Sequence, residues 1–378
     1  IDRRWIPHAE DREHISPDVQ TRNARMHKAV TLLMFKLEAQ VIARNPDFGM
    51  QGRDYLNQID YQAGTVRCRG RVYPLLDRDF PTVDPAAPTA LTPREQALVE
   101  ELCRAFTQSE RLQRHVQFLY AHGAVYKVFN GNLLFHGAVP MTPGGGFAPE
   151  RFEGRLYSGK ALFDYCDRRA RQGYFAPPDS PERGAGQDFL WYLWCGSLSP
   201  IFGRSAMTTF ERLYIADETT HAEIKNPYYK LVSGPHAEEI AVRILAEFGL
   251  AGEGCHILNG HVPVRAVEGE DPVKAGGRLV VIDGGFCRAY HRRTGIAGYT
   301  LVYNSRGMTL RTHQPFESTA KAILEDEDIA SKSKPIYVAK ERILVRDTDE
   351  GRAFRATIAD LSRLLDAYRA GMLVQHGD

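Results

Sequence analysis

The chain has 378 residues, 43% hydrophobic and 25% charged, enough for two to three domains at ~150 residues each. That composition excludes disorder, collagen-like repeats and a disulfide scaffold. With 48 Lys plus Arg against 47 Asp plus Glu, the net charge is +1, so no global field draws in nucleic acid or an acidic membrane surface; any anion must be met by a local site.

The six cysteines (Cys68, Cys103, Cys166, Cys195, Cys255 and Cys287) are scattered without a CxxC pair. They read as small core residues of a reducing, cytoplasmic compartment, not as a zinc knot. The longest apolar stretches, Val30 to Leu37 and Leu279 to Ile282, fall far short of the ~20 residues that span a bilayer. The start, Ile1-Asp2-Arg3-Arg4-Trp5, shows no signal pattern and no Met, and is expected to belong to a processed chain or a fragment.

In chain order, Met26, Ala29, Val30, Leu33, Leu37, Val41 and Ile42 recur at helical spacing and predict a helix from Gln20 to Asn45. Thr65 to Cys68 and Arg71 to Tyr73 flank Gly70 and predict a hairpin; the Pro-rich run from Pro81 to Pro93 reads as a linker. Thr92-Pro93-Arg94-Glu95 combines an N-cap, Pro at the first helical position and the capping-box Glu, starting a helix expected to run to about Tyr120. Asn130-Gly131 between Ala124 to Phe129 and Asn132 to Phe135 predicts a second hairpin.

Helices are expected at about Ser158 to Gln172, Gln187 to Trp194 and Ala237 to Phe248. Strands are expected at Cys255 to Leu258, Arg278 to Ile282, Tyr299 to Tyr303, Met308 to Thr312 and Tyr337 to Val345, before an amphipathic helix at Gly351 to Leu373. The alternation argues for an α/β layered domain with helical additions at both ends. The expected divisions are a mostly helical 1–121, a layered 122–316 and an extension, 317–378.

Two histidines stand out. His136 closes the strand Asn132-Leu133-Leu134-Phe135 and precedes Gly137; His261 follows Cys255 to Leu258 and Asn259-Gly260. A polar side chain ending an apolar strand beside Gly sits at a sheet rim, where functional loops gather. Neutral imidazole there is a common ligand for zinc, manganese or iron; a satisfied buried histidine is the alternative. Asp283-Gly284-Gly285 likewise ends Leu279 to Ile282, where Asp283 could instead cap a turn, and Gly298 could let a strand pack closely. Arg204, Lys225, Asn226 and Tyr229 can grip phosphate oxygens, though solvated surface residues look alike. No GxGxxG opens a helix after a strand and no GxxxxGK[ST] occurs, so a nucleotide fold is unsupported.

Several longer strings are specific. They are Asn130 through Pro140 (NGNLLFHGAVP), Lys225 through Leu231 (KNPYYKL), Asn259 through Val264 (NGHVPV), and Asp283-Gly284-Gly285-Phe286 with Thr294 through Leu301. Phe80 through Pro85 and Leu112 through Val116 also fit. Over nearly the whole chain this resembles the class III fructose-1,6-bisphosphatases. The resemblance implies the C-terminal half of a calcineurin-like metallophosphoesterase sandwich, two packed sheets flanked by helices with two divalent metals at the sheet ends. It further implies His136 and His261 as metal ligands, Asp283 by position at the phosphate site, and a binuclear Mn2+ or Mg2+ centre.

The superfamily's Asp-x-His, Gly-Asp-x-x-Asp-Arg-Gly and Gly-Asn-His-Asp/Glu motifs do not occur; the one Gly-Asp is Gly377-Asp378. The expectation is therefore a chain lacking the N-terminal part, with the catalytic histidine and half of the metal site elsewhere and little turnover of its own. The implied partner is a small sugar bisphosphate, with no nucleic acid or membrane; homo-oligomerisation is left open. A phosphoesterase for another substrate and a non-catalytic remnant that binds metabolites or a partner are the alternatives.

Overall fold

The computed structural model describes residues 3–6, 15–285, 287, 290, 294–296, 298–314, 323–324 and 331–373. They form two compact units. One holds the described residues through Val125, with Pro140–Thr142 and Gly146–Asn226; the other holds Tyr126–Val139, Pro143–Gly145 and the described residues from Pro227 on. The sequence reading placed its divisions after 121 and 316. The first lies close to the change of unit after Val125, whereas residues 146–226 group with the N-terminal helices.

The first unit opens with α1 (Pro17–Arg44), capped by Ser16, with Leu32, Leu33, Phe35, Ala39 and Ile42 buried along one stripe. A three-stranded antiparallel sheet follows: β1 (Ile59–Asp60), β2 (Thr65–Cys68) and β3 (Arg71–Pro74). The capping box at Thr92 and Glu95 starts α2 (Pro93–Thr107). The single helix expected to reach Tyr120 is broken. Gln108 ends α2, and extended Ser109 caps a new helix, α3 (Glu110–His122), by accepting from the Leu112 amide. A serine that can bond a neighbouring amide competes with helix continuation.

The chain next supplies β4 (Tyr126–Phe129) and β5 (Asn132–Phe135) to the second unit, joined by Asn130 and Gly131, both at positive φ, as a tight right-twisted hairpin requires. Back in the first unit come β6 (Glu150–Phe152), β7 (Arg155–Tyr157), α4 (Gly159–Phe175), α5 (Pro181–Cys195) and α6 (Thr209–Tyr214). Helices α4 and α5 touch through Gly173 and Gly186, where a Cβ on either would lie within 3 Å of the other's backbone. One core of this unit gathers Trp5, Phe35, Tyr55, Phe210 and Tyr214; another gathers Phe48, Phe152, Tyr165, Phe189 and Tyr192.

The second unit continues with α7 (Pro227–Leu231), α8 (Ala237–Glu247), β8 (His256–Asn259), β9 (Val273–Lys274) and β10 (Leu279–Val281). Its five-stranded sheet runs β4-β5-β8-β10-β9, with β5, β8 and β10 mutually parallel. β5 and β10 are nearly continuous apolar runs and all four residues of β8 are buried, as expected of strands covered on both faces. A three-stranded antiparallel sheet of β11 (Gly298–Asn304), β12 (Gly307–His313) and β13 (Ser331–Val338) follows. The strand expected at Tyr337 to Val345 runs instead from Ser331 to Val338, sharing only Tyr337 and Val338 with that span. Its Ser/Lys start is exposed and carries no apolar alternation to reveal it. Helix α9 (Asp349–Arg369) closes the described chain.

The first unit buries charge. Lys36 is fully buried and bonds the Thr82 carbonyl (2.5 Å) and Glu95 Oε2 (2.8 Å). Burial opposes ionisation of Glu95, but the Lys36 ammonium and the Thr92 amide outweigh it and hold the carboxyl below its usual 4.5. Stability from Glu95 is therefore present above about pH 4.5 and lost as pH falls through its folded value. Removing Glu95 strands a buried ammonium, whereas removing Lys36 leaves a carboxylate that still reaches water and the Thr92 amide. Glu95→Ala should thus cost about 3–5 kcal/mol and Lys36→Met clearly less. Urea unfolding at pH 7 should show that order, and equal costs would contradict it; Glu95→Ala should also flatten the stability loss below pH 4.5.

Candidate functional site

The register of three parallel strands builds the site. β5 pairs with β8 (Leu134 opposite Leu258), and β8 with β10 (Asn259 opposite Val281), so all three chains leave the sheet at the same edge. Loops beyond the carboxyl ends of parallel strands are where α/β sheets place ligands. Here they carry His136 after β5, Gly260-His261 after β8 and Asp283 after β10. Backbone bonds carry the register past the strands: the Gly260 amide donates to the His136 carbonyl (3.0 Å), Ile282 to Asn259 (2.9 Å), and Val264 to Asp283 (3.0 Å).

The two sequence-predicted imidazoles meet. His261 Nδ1 and His136 Nε2 lie 2.9 Å apart, one donating to the other according to tautomer, with ring centroids 4.8 Å apart at 70°. The His261 backbone is left-handed, φ 68°, a conformation that is costly for most side chains and concentrates at functional sites. Crowding by protein pushes the His136 imidazole below its usual 6.5, against the pull of the Asp283 carboxylate, so the ring is neutral at pH 7. Asp283 Oδ1 accepts the Gly285 amide at 3.0 Å.

Two residues that the sequence reading gave no role hold this edge together. Asn259 is buried at the last position of β8, and its Nδ2 donates to the Gly137 carbonyl and the Tyr228 hydroxyl, both at 3.1 Å. Tyr228, fully buried on α7, also packs its ring edge-on to Phe135 at 5.9 Å. The Asn-Gly-His string pointed to the histidine; nothing in it marked the asparagine as the brace.

The remaining predicted residues divide between the units. Tyr229 follows Tyr228 on α7 of the second unit; Arg204, Lys225 and Asn226 belong to the first. There, Arg204 and Lys225 form an isolated antiparallel bridge, the Arg204 guanidinium is paired with Glu223, and buried Asn226 accepts the Met141 amide at 3.1 Å.

Two imidazole nitrogens and a nearby carboxylate are a donor set suited to a divalent cation. Their 2.9 Å spacing is that of a hydrogen bond, roughly 0.5 Å short of the edge of a tetrahedral site with ~2.1 Å bonds. Asn259 Oδ1, buried beside them, has no hydrogen-bond partner among the described residues, an acceptor that a site water would satisfy. The fit is thus chemical and partial. Among the described residues no group of three or more His, Cys, Asp or Glu is placed to hold a metal.

Residues 2–370 match the model of a family described as Firmicute fructose-1,6-bisphosphatase. The chain is similar to the "Fructose-1,6-bisphosphatase class 3" of Bacteroides fragilis, 48% identical over 349 residues, covering 92% of this chain and 52% of that protein. The protein of that name from Alkaliphilus metalliredigens is 48% identical over 352 residues (93% and 52%), and that from Clostridium tetani 45% over 372 (98% and 56%). The chain spans about half the length of these relatives. No solved structure matches it significantly. No helix among the described residues is long and apolar enough to cross a membrane.

Gly284 fixes the loop that carries Asp283. A Cβ there would lie 2.5 Å from Gly298 Cα and 3.0 Å from its carbonyl carbon, both backbone atoms. Gly284→Ala should therefore force β11 away and destabilise the second unit by about 1–3 kcal/mol. Chemical denaturation measures this; an unchanged midpoint would mean that the two glycines do not touch.

Proposed function

Since the chain belongs to the Firmicute fructose-1,6-bisphosphatase family, we propose that it forms part of a metal-dependent phosphatase. That enzyme removes the 1-phosphate of fructose 1,6-bisphosphate to give fructose 6-phosphate and phosphate, a step of gluconeogenesis. The observation that carries this reading is the convergence of His136 and His261 at one edge of a parallel sheet. In the same reading, the two larger sheets of the second unit are the C-terminal half of a metallophosphoesterase sandwich. Contact between them through His256 and Tyr337, ring centroids 5.2 Å apart, supports it.

His136 and His261 would hold the metal through their ring nitrogens, and imidazole with carboxylate favours manganese over magnesium. A bound divalent pair supplies a Lewis acid for the phosphoryl oxygens and an activated water as nucleophile. His136 stays neutral at pH 7 and keeps a lone pair to offer. Asn259 and Tyr228 fix the loops that carry both rings. Asp283, tethered by the Gly285 amide, places its charge beside them.

Tyr229, on α7 of the second unit, is the proposed contact to the substrate's phosphates and sugar. Within the first unit, Arg204 is paired with Glu223 and Asn226 with the Met141 amide. The remaining metal donors and the group that protonates the leaving alkoxide are proposed to lie outside these 378 residues. The greater length of the relatives supports this.

The test is phosphate release from fructose 1,6-bisphosphate with Mn2+, beside a panel of sugar phosphates and a phosphopeptide. Residues 1–378 alone should turn over little, and substantial activity would reject the placement of donors elsewhere. In a full-length relative, alanine at the positions of His136 and His261 should each cut kcat/KM by ~100-fold or more. Preference for the phosphopeptide would reject the sugar substrate.

A further inference from the structure

Helix α9 is anchored at its base and bare along its length. Asn130 and Asp349 bond reciprocally: the Asn130 amide donates to Asp349 Oδ2 (2.7 Å) and the Asp349 amide to Asn130 Oδ1 (2.8 Å). Thr348 caps the first turn, and Gly351 is the one buried residue of the helix. Beyond that turn, Phe354, Ile358, Leu361, Leu365 and Tyr368 follow one another along the helix at intervals of four, three, four and three. Each is between 46% and 62% exposed.

That spacing is the seam of a heptad repeat, with Ile358 and Leu365 at a and Phe354, Leu361 and Tyr368 at d. An ordinary surface helix has no reason to put its largest side chains on the side that nothing covers.

We propose that α9 is a dimerisation helix, which pairs in parallel with α9 of a second copy of this chain as a short two-stranded coiled coil. Three observations select that occupant. The repeat is the 3.5-residue period of helix-on-helix pairing, and a stripe of this kind is self-complementary about a two-fold axis. The exposed apolar area suits it: the five seam residues, with Leu364 beside them, are each about half exposed. At ~100 Å² apiece that makes ~600 Å² per chain, or ~1,200 Å² for the pair, the lower end of specific stable interfaces.

The third observation is charge. In this register Glu350 occupies a g position and Arg355 the e position five residues on, the two that face each other across a parallel pair. Neither makes an ion pair among the described residues, although the Arg355 guanidinium donates to the Arg346 carbonyl at 2.8 Å; the symmetric dimer would form Glu350–Arg355 contacts twice. An antiparallel pair would set Arg355 near Arg369 instead, with like charges opposed. The Ile358 and Leu361 choice at a and d also suits two strands.

Light scattering and sedimentation of residues 1–378 at tens of micromolar should give the mass of two chains. Ile358→Glu with Leu365→Glu should weaken association by at least 100-fold and give one chain, with the far-ultraviolet dichroism of the rest of the fold retained. Glu350→Arg alone should weaken the dimer several-fold, and Glu350→Arg with Arg355→Glu should recover it, a rescue that a purely structural role would not produce. In a Cys103→Ser, Cys287→Ser background, Leu361→Cys should crosslink on oxidation, because d faces d in a parallel pair. A wild-type chain that stays single would overturn the proposal, leaving the stripe to other polypeptide. So would a dimer indifferent to the glutamates, and failure to crosslink would overturn the parallel arrangement.

Discussion

The parallel pairing of β5, β8 and β10 is the constraint on which the second unit depends. Each strand is too short to bind anything, and none carries a reactive group in its interior. Their ladders are in register, however, so three loops of distant sequence begin at the same height. His136 and His261, 125 residues apart, then need only one further hydrogen bond between backbones, from Gly260 to His136, to bring their rings into contact. A one-residue slip in β8 would turn every side chain of that strand to the other face and take His261 out of reach. The apolar runs that lock the register therefore also set the chemistry of the edge.

The first unit is organised by a different economy, in which buried ions are satisfied by partners drawn from far along the chain. Glu38 on α1 pairs with Arg53 at 3.0 Å, and Arg53 also donates to the Met207 carbonyl. Burial pushes the Glu38 carboxyl up, and the Arg53 guanidinium is the main pull the other way. Tyr55 donates to Glu211 at 2.7 Å, tying the segment after α1 to α6. Such pairs add little net stability over apolar packing, but breaking one is costly. Their effect is to admit one arrangement of α1, α6 and the small sheet.

Much of this was legible in the sequence. Thr92 to Glu95 announced the start of α2, Asn130-Gly131 the β4–β5 turn, and Leu279 to Ile282 a buried strand, because each depends on local chemistry that a few residues state completely. Ser109 could have been read as a cap, but the apolar period continued past it and hid the break. β13 was misplaced because its pairing with β12 is dictated by the neighbouring strand and not by its own exposed Ser/Lys pattern. At the candidate site the histidines stood out from their positions at strand ends, and their proposed ligand role rests on the family resemblance. Asn259 and Tyr228 were not, because a brace is defined by what it touches, and their contacts join residues 31 and 122 positions apart.

The bare contact between Gly284 and Gly298 has a mechanical side. Gly298 is the first rung of a seven-rung antiparallel ladder between β11 and β12, and Gly284 is the immediate neighbour of Asp283. With no side chains between them to flex, the two backbones behave as a weld. The carboxylate inherits the stiffness of a hairpin with which, among the described residues, it shares no hydrogen bond of its own, so strain imposed along that hairpin is delivered one peptide unit from the charge.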